Sequence, residues 1–215
     1  KNTKVEKQPL PPTENNVLKT FSIENEPVVE LVNNREREYI FADLPDIGYS
    51  TDIDTVMASS YQVKKQLQQI VKIEQPITNT LLYKRILRIW NLTRVTTRLQ
   101  VFIDSLLEDA YKDPLSGDTI IYWENKEKAK ECDFYRINSK RDILDIPILE
   151  VMSAARYAIE QQISMPIEDL KRLTSQLLGF SRKGNNLDMV TEQTIQLLIN
   201  KGIFSHANGM VSMNN

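Results

Sequence analysis

The chain has 215 residues, of which 41% are hydrophobic and 26% charged, and its formal net charge is −2. That length and composition suit one large or two small globular domains, and so weak a charge excludes a protein coated in positive residues without excluding a local basic face. No apolar run approaches the roughly 20 residues of a membrane span, and the opening KNTKVEKQPLPP lacks the apolar core of a signal peptide. Residues 1–36, which begin on Lys1 rather than Met, read as a linker or extended arm of a longer or processed protein. Pro9, Pro11 and Pro12 cluster there and no helical period is sustained. Residues 27–32 form a short β-prone patch able to pair with an edge elsewhere. Residues 39–45 (YIFADLP) look extended, with Tyr39 and Phe41 available to pack against the first helices.

From about Asp54 the period becomes helical. Val63, Leu67, Ile70 and Val71 share one face, and Pro76 lies just beyond the end. Leu82, Ile86, Ile89 and Trp90 mark a second helix. Thr93 is a good N-cap for a third, which turns Val95, Leu99, Phe102, Ile103, Leu106 and Leu107 inward. The turn-rich run YKDPLSGD then leads into a β-branched and aromatic strand at residues 119–123. Three helices followed by a hairpin is the order of a winged helix.

The second half repeats the plan. Ile148, Val151, Met152, Ala155, Ile159 and Ile163 make a helical stripe, and Pro166-Ile167 repeats Pro76-Ile77 at an offset of 90 residues. Leu170, Leu173, Leu177 and Leu178 mark the next helix, with Gly179 placed as its C-terminal cap. Ser181 can cap a third, carrying Leu187, Val190, Thr194 and Leu198 inward. The run IFSHANGMVSM supplies two strands around an Asn-Gly turn. The expected fold is therefore mainly α: two tandem winged-helix-like units with small β-hairpin wings, after an extended N-terminal arm. The units span residues 37–130 and 148–215, with an inter-unit linker at 131–147. The competing reading is a single irregular helical domain whose halves agree by coincidence.

Four stretches carry a family resemblance: QLQQIVKIEQPI (66–77), ILRIWNLTRVTTRL (86–99), DILDIPILEVM (142–152) and LTSQLLGFSRKGNNL (173–187). They resemble the C-terminal domain of unknown function that ends large bacterial and archaeal proteins related to superfamily I helicases. The resemblance covers roughly residues 37–213. Gln75 and Thr96 depart from glycines usual in the family, whereas Gly184 keeps one. The resemblance implies attachment to an upstream helicase-like ATPase, often with a restriction-endonuclease-like segment, and no settled activity for the domain itself.

Chemistry is sparse. The chain has no GxxxxGK[ST] or GxGxxG phosphate loop, so no nucleotide cofactor is expected. The single cysteine, Cys132, excludes an internal disulfide and favours a reducing, cytoplasmic setting. The lone His206 reads as a solvated turn residue, and neither residue is set among carboxylates that would complete a metal site. Asp118, Glu124 and Lys126 faintly resemble the Asp…Glu-x-Lys of nucleases. Their spacing and the solvated run ENKEKAKE do not suit two carboxylates holding Mg²⁺. No catalytic, cofactor-binding or metal-binding residue is assigned, and no enzyme activity, membrane contact or small-molecule substrate is expected of this chain.

Positive charge, by contrast, is segregated. Residues 75–103 hold Lys84, Arg85, Arg88, Arg94 and Arg98 without an acid, and residues 170–187 hold Lys171, Arg172, Arg182 and Lys183 without one. In a helix-turn-helix the second and third helices face DNA. Arg94 and Arg98 are four apart, as on one helical face, with Thr97 between them. Arg182, Lys183, Asn185 and Asn186 take comparable places. Lys84, Arg88, Arg94, Thr97, Arg98, Arg182, Lys183, Asn185 and Asn186 are therefore the candidate nucleic-acid contacts. The partners expected are duplex or forked DNA and the upstream ATPase of the same polypeptide. Two alternatives stand beside this reading. The same surfaces could dock on the ATPase or another protein, or Arg94 and Arg182 could brace the turn by bonding backbone carbonyls.

Overall fold

The computed structural model describes residues 34–49, 51–115 and 119–214. The prolines at 9, 11 and 12, the β-prone patch at 27–32 and Asp118 lie outside the described residues. About half of what is described is α-helical, with small sheets between the helices.

The first copy opens with strand β1 (Glu36–Glu38) and helix α1 (Ile53–Ala58), which Asp52 caps by accepting a hydrogen bond from the Thr55 N–H at 2.8 Å. The chain breaks at Ser59 and resumes as α2 (Ser60–Glu74), whose Val63, Leu67, Ile70 and Val71 are buried at helical spacing. Strand β2 (Ile77–Thr78) leads into α3 (Asn79–Ile89), where the Thr78 side chain caps the helix, and then α4 (Thr97–Leu106). Strands β3 (Tyr111–Lys112) and β4 (Ile121–Trp123) close an antiparallel sheet of order β2-β4-β3. The run ENKEKAKE contributes the short exposed helix α5 (Lys126–Lys130), and β5 (Tyr135–Ile137) pairs in parallel with β1.

In the second copy α6 (Ile148–Glu160) precedes β6 (Met165–Pro166), α7 (Ile167–Leu177) and α8 (Asn185–Asn200). Strands β7 (Phe204–Ala207) and β8 (Met210–Met213) complete a sheet of order β6-β8-β7. Asn208 and Gly209 both take positive φ (52° and 75°), the backbone that a two-residue hairpin turn requires.

Element for element, the halves run in one order. Ile77 and Met165 start equivalent strands, Asn79 and Ile167 equivalent helices, and Thr97 and Asn185 the next helices, each pair 88 residues apart (77 to 165). The Pro76-Ile77 and Pro166-Ile167 match, at 90 residues, is therefore two positions out of register. Its cause is the cap: Pro166 stands immediately before α7, where the first copy has Thr78. Ile163 does not belong to the α6 stripe, because the helix ends at Glu160 and leaves Ile163 96% exposed.

Between the copies, residues 131–147 carry buried charge. Glu150, on the first turn of α6, is fully buried. Arg141 grips it with a fork, Nη1 to Oε1 and Nη2 to Oε2, both at 2.8 Å. Arg136 donates to Glu150 through its backbone N–H at 3.0 Å and through Nη2. The same guanidinium reaches the first copy, donating to the carbonyls of Glu74 (2.7 Å), Gln75 (3.2 Å) and Pro76 (2.6 Å) at the end of α2. The Tyr39 ring lies 4.4 Å from the Arg141 guanidinium and 5.0 Å from that of Arg136. Its hydroxyl bonds the buried Glu74, which Arg85 also holds at 2.9–3.1 Å. Burial alone would raise the pKa of Glu150. The charge of Arg136 and the bonds from Arg141 outweigh it and hold the carboxyl down at about 2.

Arg136→Met leaves Glu150 paired with Arg141 but strips the carbonyls of Glu74, Gln75 and Pro76 of their donor, and should cost about 1–3 kcal/mol in denaturant unfolding. The Glu150 carboxylate is favoured in the folded state, so its stabilisation is present above its ordinary value of 4.5 and is lost as pH falls towards about 2. The stability gap between wild type and Glu150→Gln should shrink across that window in thermal melts.

Candidate nucleic-acid interface

LTRVTTRL (92–99) and FSRKGNNL (180–187) occupy equivalent ground. Each second helix ends on a residue in the left-handed region, Asn91 (φ 49°) or Gly179 (φ 88°). The following N–H closes the turn back onto the helix, Leu92 to the Leu87 carbonyl at 2.9 Å and Phe180 to the Ser175 carbonyl at 3.0 Å. Leu99 and Leu187, 0% and 7% exposed, then anchor the next helix in the core.

The caps fall later than the sequence suggests. Thr96, not Thr93, caps α4, accepting from the Leu99 N–H at 3.2 Å, and Gly184 rather than Ser181 stands at the cap of α8 without a side-chain bond. Residues 91–95 and 179–183 are needed to carry the chain round from one helix to the next. Arg94 and Arg182 therefore sit in the turns. The four-residue spacing of Arg94 and Arg98 does not place them on one helical face.

The structure divides the candidate contacts into two groups. Lys84 binds the buried Asp145 through Nζ at 2.6 and 2.8 Å. Arg98 pairs with Asp54 of α1 at 2.6 Å. Arg88 and Arg85 stack on Phe41, 4.9 and 4.3 Å from the ring centre. Arg94, Thr97, Arg182, Lys183, Asn185 and Asn186 are exposed, and none makes a side-chain hydrogen bond or ion pair among the described residues. Neither turn arginine bonds a carbonyl among the described residues. Beyond its own ion-paired Arg98, α4 has no cation, and α8 has none at all.

Sequence reading missed the groove between α7 and α8. It has a volume of about 570 Å³, and Arg172, Phe180, Arg182, Lys183 and Asn185 are among the residues lining it. On its wall Lys171, only 10% exposed, binds Asp188 (2.8 Å), Glu192 (3.1 Å) and Glu168 (3.3 Å). Bonding to Asp188 foremost, with the other two acids adding to it, raises the Lys171 ammonium above the usual lysine range. The signal available was the i, i+4 spacing of Asp188 and Glu192 on one helix. Among the described residues no group of three or more His, Cys, Asp or Glu is placed to hold a metal ion, and no helix is long and apolar enough to cross a membrane.

Residues 58–101 match a family model described as a protein of unknown function (DUF3320). The match takes in the stretches 66–77 and 86–99 and thus supports a domain of unknown function. No curated protein and no solved structure matches the chain.

The division of cations has a direct consequence for stability. Arg94→Ala combined with Arg182→Ala should leave stability within about 0.5 kcal/mol of wild type in thermal melts. Lys84→Ala, which strips the buried Asp145 of its counter-ion, should cost about 1–2 kcal/mol in the same melts.

Proposed function

We propose that this chain is a non-catalytic nucleic-acid-binding module of two tandem winged-helix units, touching its ligand through the turn before each third helix. The carrying observation is that Arg94, Arg182 and Lys183 have no partner among the described residues, where the cations around them are ion-paired or stacked. An exposed guanidinium or ammonium without a protein partner is free to replace a counter-ion on a phosphate. The winged-helix assignment is supported by the order helix, strand, helix, helix, strand, strand in each copy, and by the middle position of the last strand in each sheet. The lack of free cations on α4 and α8 argues against deep insertion of either helix between two phosphate walls.

The two units are unequal in this reading. The first has its basic face partly occupied by its own chain, through Phe41 and Asp54, so the second makes the principal contact. In this proposal the module sits beside an upstream ATPase that it supplies with DNA, a context supported by the resemblance of the four stretches to the ends of helicase-related proteins.

A second reading has its own observation. Val101 of α4 and Met189 of α8 are equivalent positions, and both are exposed (65% and 45%). An apolar side chain on the same outer face of both third helices suits docking on the ATPase or a protein partner.

A labelled oligonucleotide should be bound at low salt with affinity that falls steeply as salt rises. Arg182→Ala with Lys183→Ala should weaken binding and lower the slope of log K against log salt by about 1.8. Binding that ignores salt and both substitutions, with Val101→Asp and Met189→Asp abolishing capture of the ATPase portion, would select the docking reading.

A further inference from the structure

We infer that the α7–α8 groove of the second unit is a site for an unstacked nucleotide of single-stranded nucleic acid, the base lying against Phe180 and the phosphate on Arg182 and Lys183. The inference rests on the nucleic-acid reading and goes past it by naming the form of nucleic acid. At about 570 Å³ the groove has the size of a small-ligand site. A base extruded from a strand needs three things from a protein: a flat apolar surface, polar groups for its edge and cations for its backbone. Phe180 is half-buried against the core with its neighbours Leu178 and Leu187, so its position is held by packing. Arg182 and Lys183 follow it along the turn after Ser181 and have no other partner among the described residues.

The polar wall suits a base edge as well. Asn185 offers both a donor and an acceptor. The carboxylates of Glu168 and Asp188 also line the groove and share the single Lys171 ammonium with Glu192, at 3.3, 2.8 and 3.1 Å. One ammonium offsets only part of their charge, which leaves this wall an acceptor of exocyclic amines such as the N4 amine of cytosine and keeps the phosphate on the Arg182 and Lys183 side. A rigid duplex cannot present an unstacked base to such a groove, and α8 brings no lysine or arginine to a major groove. In the first unit Leu92 stands where Phe180 stands in the second, so the stacking surface belongs to the second unit alone.

The test compares a labelled oligodeoxycytidylate with a duplex of equal length, by anisotropy at low salt and neutral pH on the full chain. The single strand should bind more tightly. Phe180→Leu should weaken single-strand binding about five- to hundredfold, the range of one lost stacking contact, and leave duplex binding unchanged. Phe180→Trp should retain binding and report it by quenching, since Trp90 and Trp123 are both buried. Arg182→Ala should weaken both forms. Equal affinity for the two forms, or single-strand binding unmoved by Phe180→Leu with no quenching in Phe180→Trp, would overturn the groove site and leave the electrostatic reading standing. No binding of either form by wild type would overturn both.

Discussion

The buried contact between Arg136 and Glu150 holds the rest of the structure in place. One guanidinium simultaneously satisfies a carboxylate at the start of the second copy and three carbonyls at the end of α2 in the first. Neither ion could stay buried alone, since desolvating an unpaired charge costs several kcal/mol. Arg141 completes the fork on Glu150, and Tyr39 closes the assembly from the arm side over both guanidiniums. The apolar clusters of the two copies supply most of the burial, but hydrophobic contact is non-directional. The ionic cluster adds what those clusters lack, a fixed geometry between the copies.

That arrangement explains why the basic residues flanking the first turn are occupied although Arg94 within it has no partner among the described residues. Anchoring Tyr39 on Glu74 brings Phe41 over Arg85 and Arg88, and the Thr51 hydroxyl donates to the Trp90 carbonyl. The first copy thus wears residues 39–51 across the end of α3. Asp54 on α1 and Asp145 before α6 take two more cations. In the second copy Arg182 and Lys183 have no partner among the described residues, as Arg94 has none in the first, and Lys171, drawn inward, is surrounded by acids of its own unit. The same turn occurs twice, and packing covers more of the basic surface around the first than around the second.

Much of this was legible in the sequence. The stripes at Val63, Leu67 and Ile70 and at Val151, Ala155 and Ile159 are buried as their spacing implies, because helical period and burial are the same fact read twice. The Asn208-Gly209 hairpin followed from turn chemistry that few residue pairs satisfy. Cap positions did not follow: Thr93, Thr96 and Thr97 are all acceptable caps, and only the path of the turn selects Thr96. The pairing of candidate contacts was likewise hidden. The acids that hold Lys84 and Arg98 lie 61 and 44 residues away, a distance at which charge segregation along the chain says nothing about neutralisation in space. Arg136, Arg141 and Glu150 lay in and beside a stretch read as a linker, where composition gave no hint that polar residues would be the buried ones.

Because the ionic cluster ties the two copies to each other, they should unfold as one, which denaturant unfolding followed with two probes tests most directly. Both tryptophans, Trp90 and Trp123, belong to the first copy, so tryptophan fluorescence reports that copy alone, while far-ultraviolet circular dichroism reports the helices of both. In the intact chain the two curves should coincide in midpoint and slope. A circular-dichroism transition that splits in two, with fluorescence tracking only one part, would contradict that coupling.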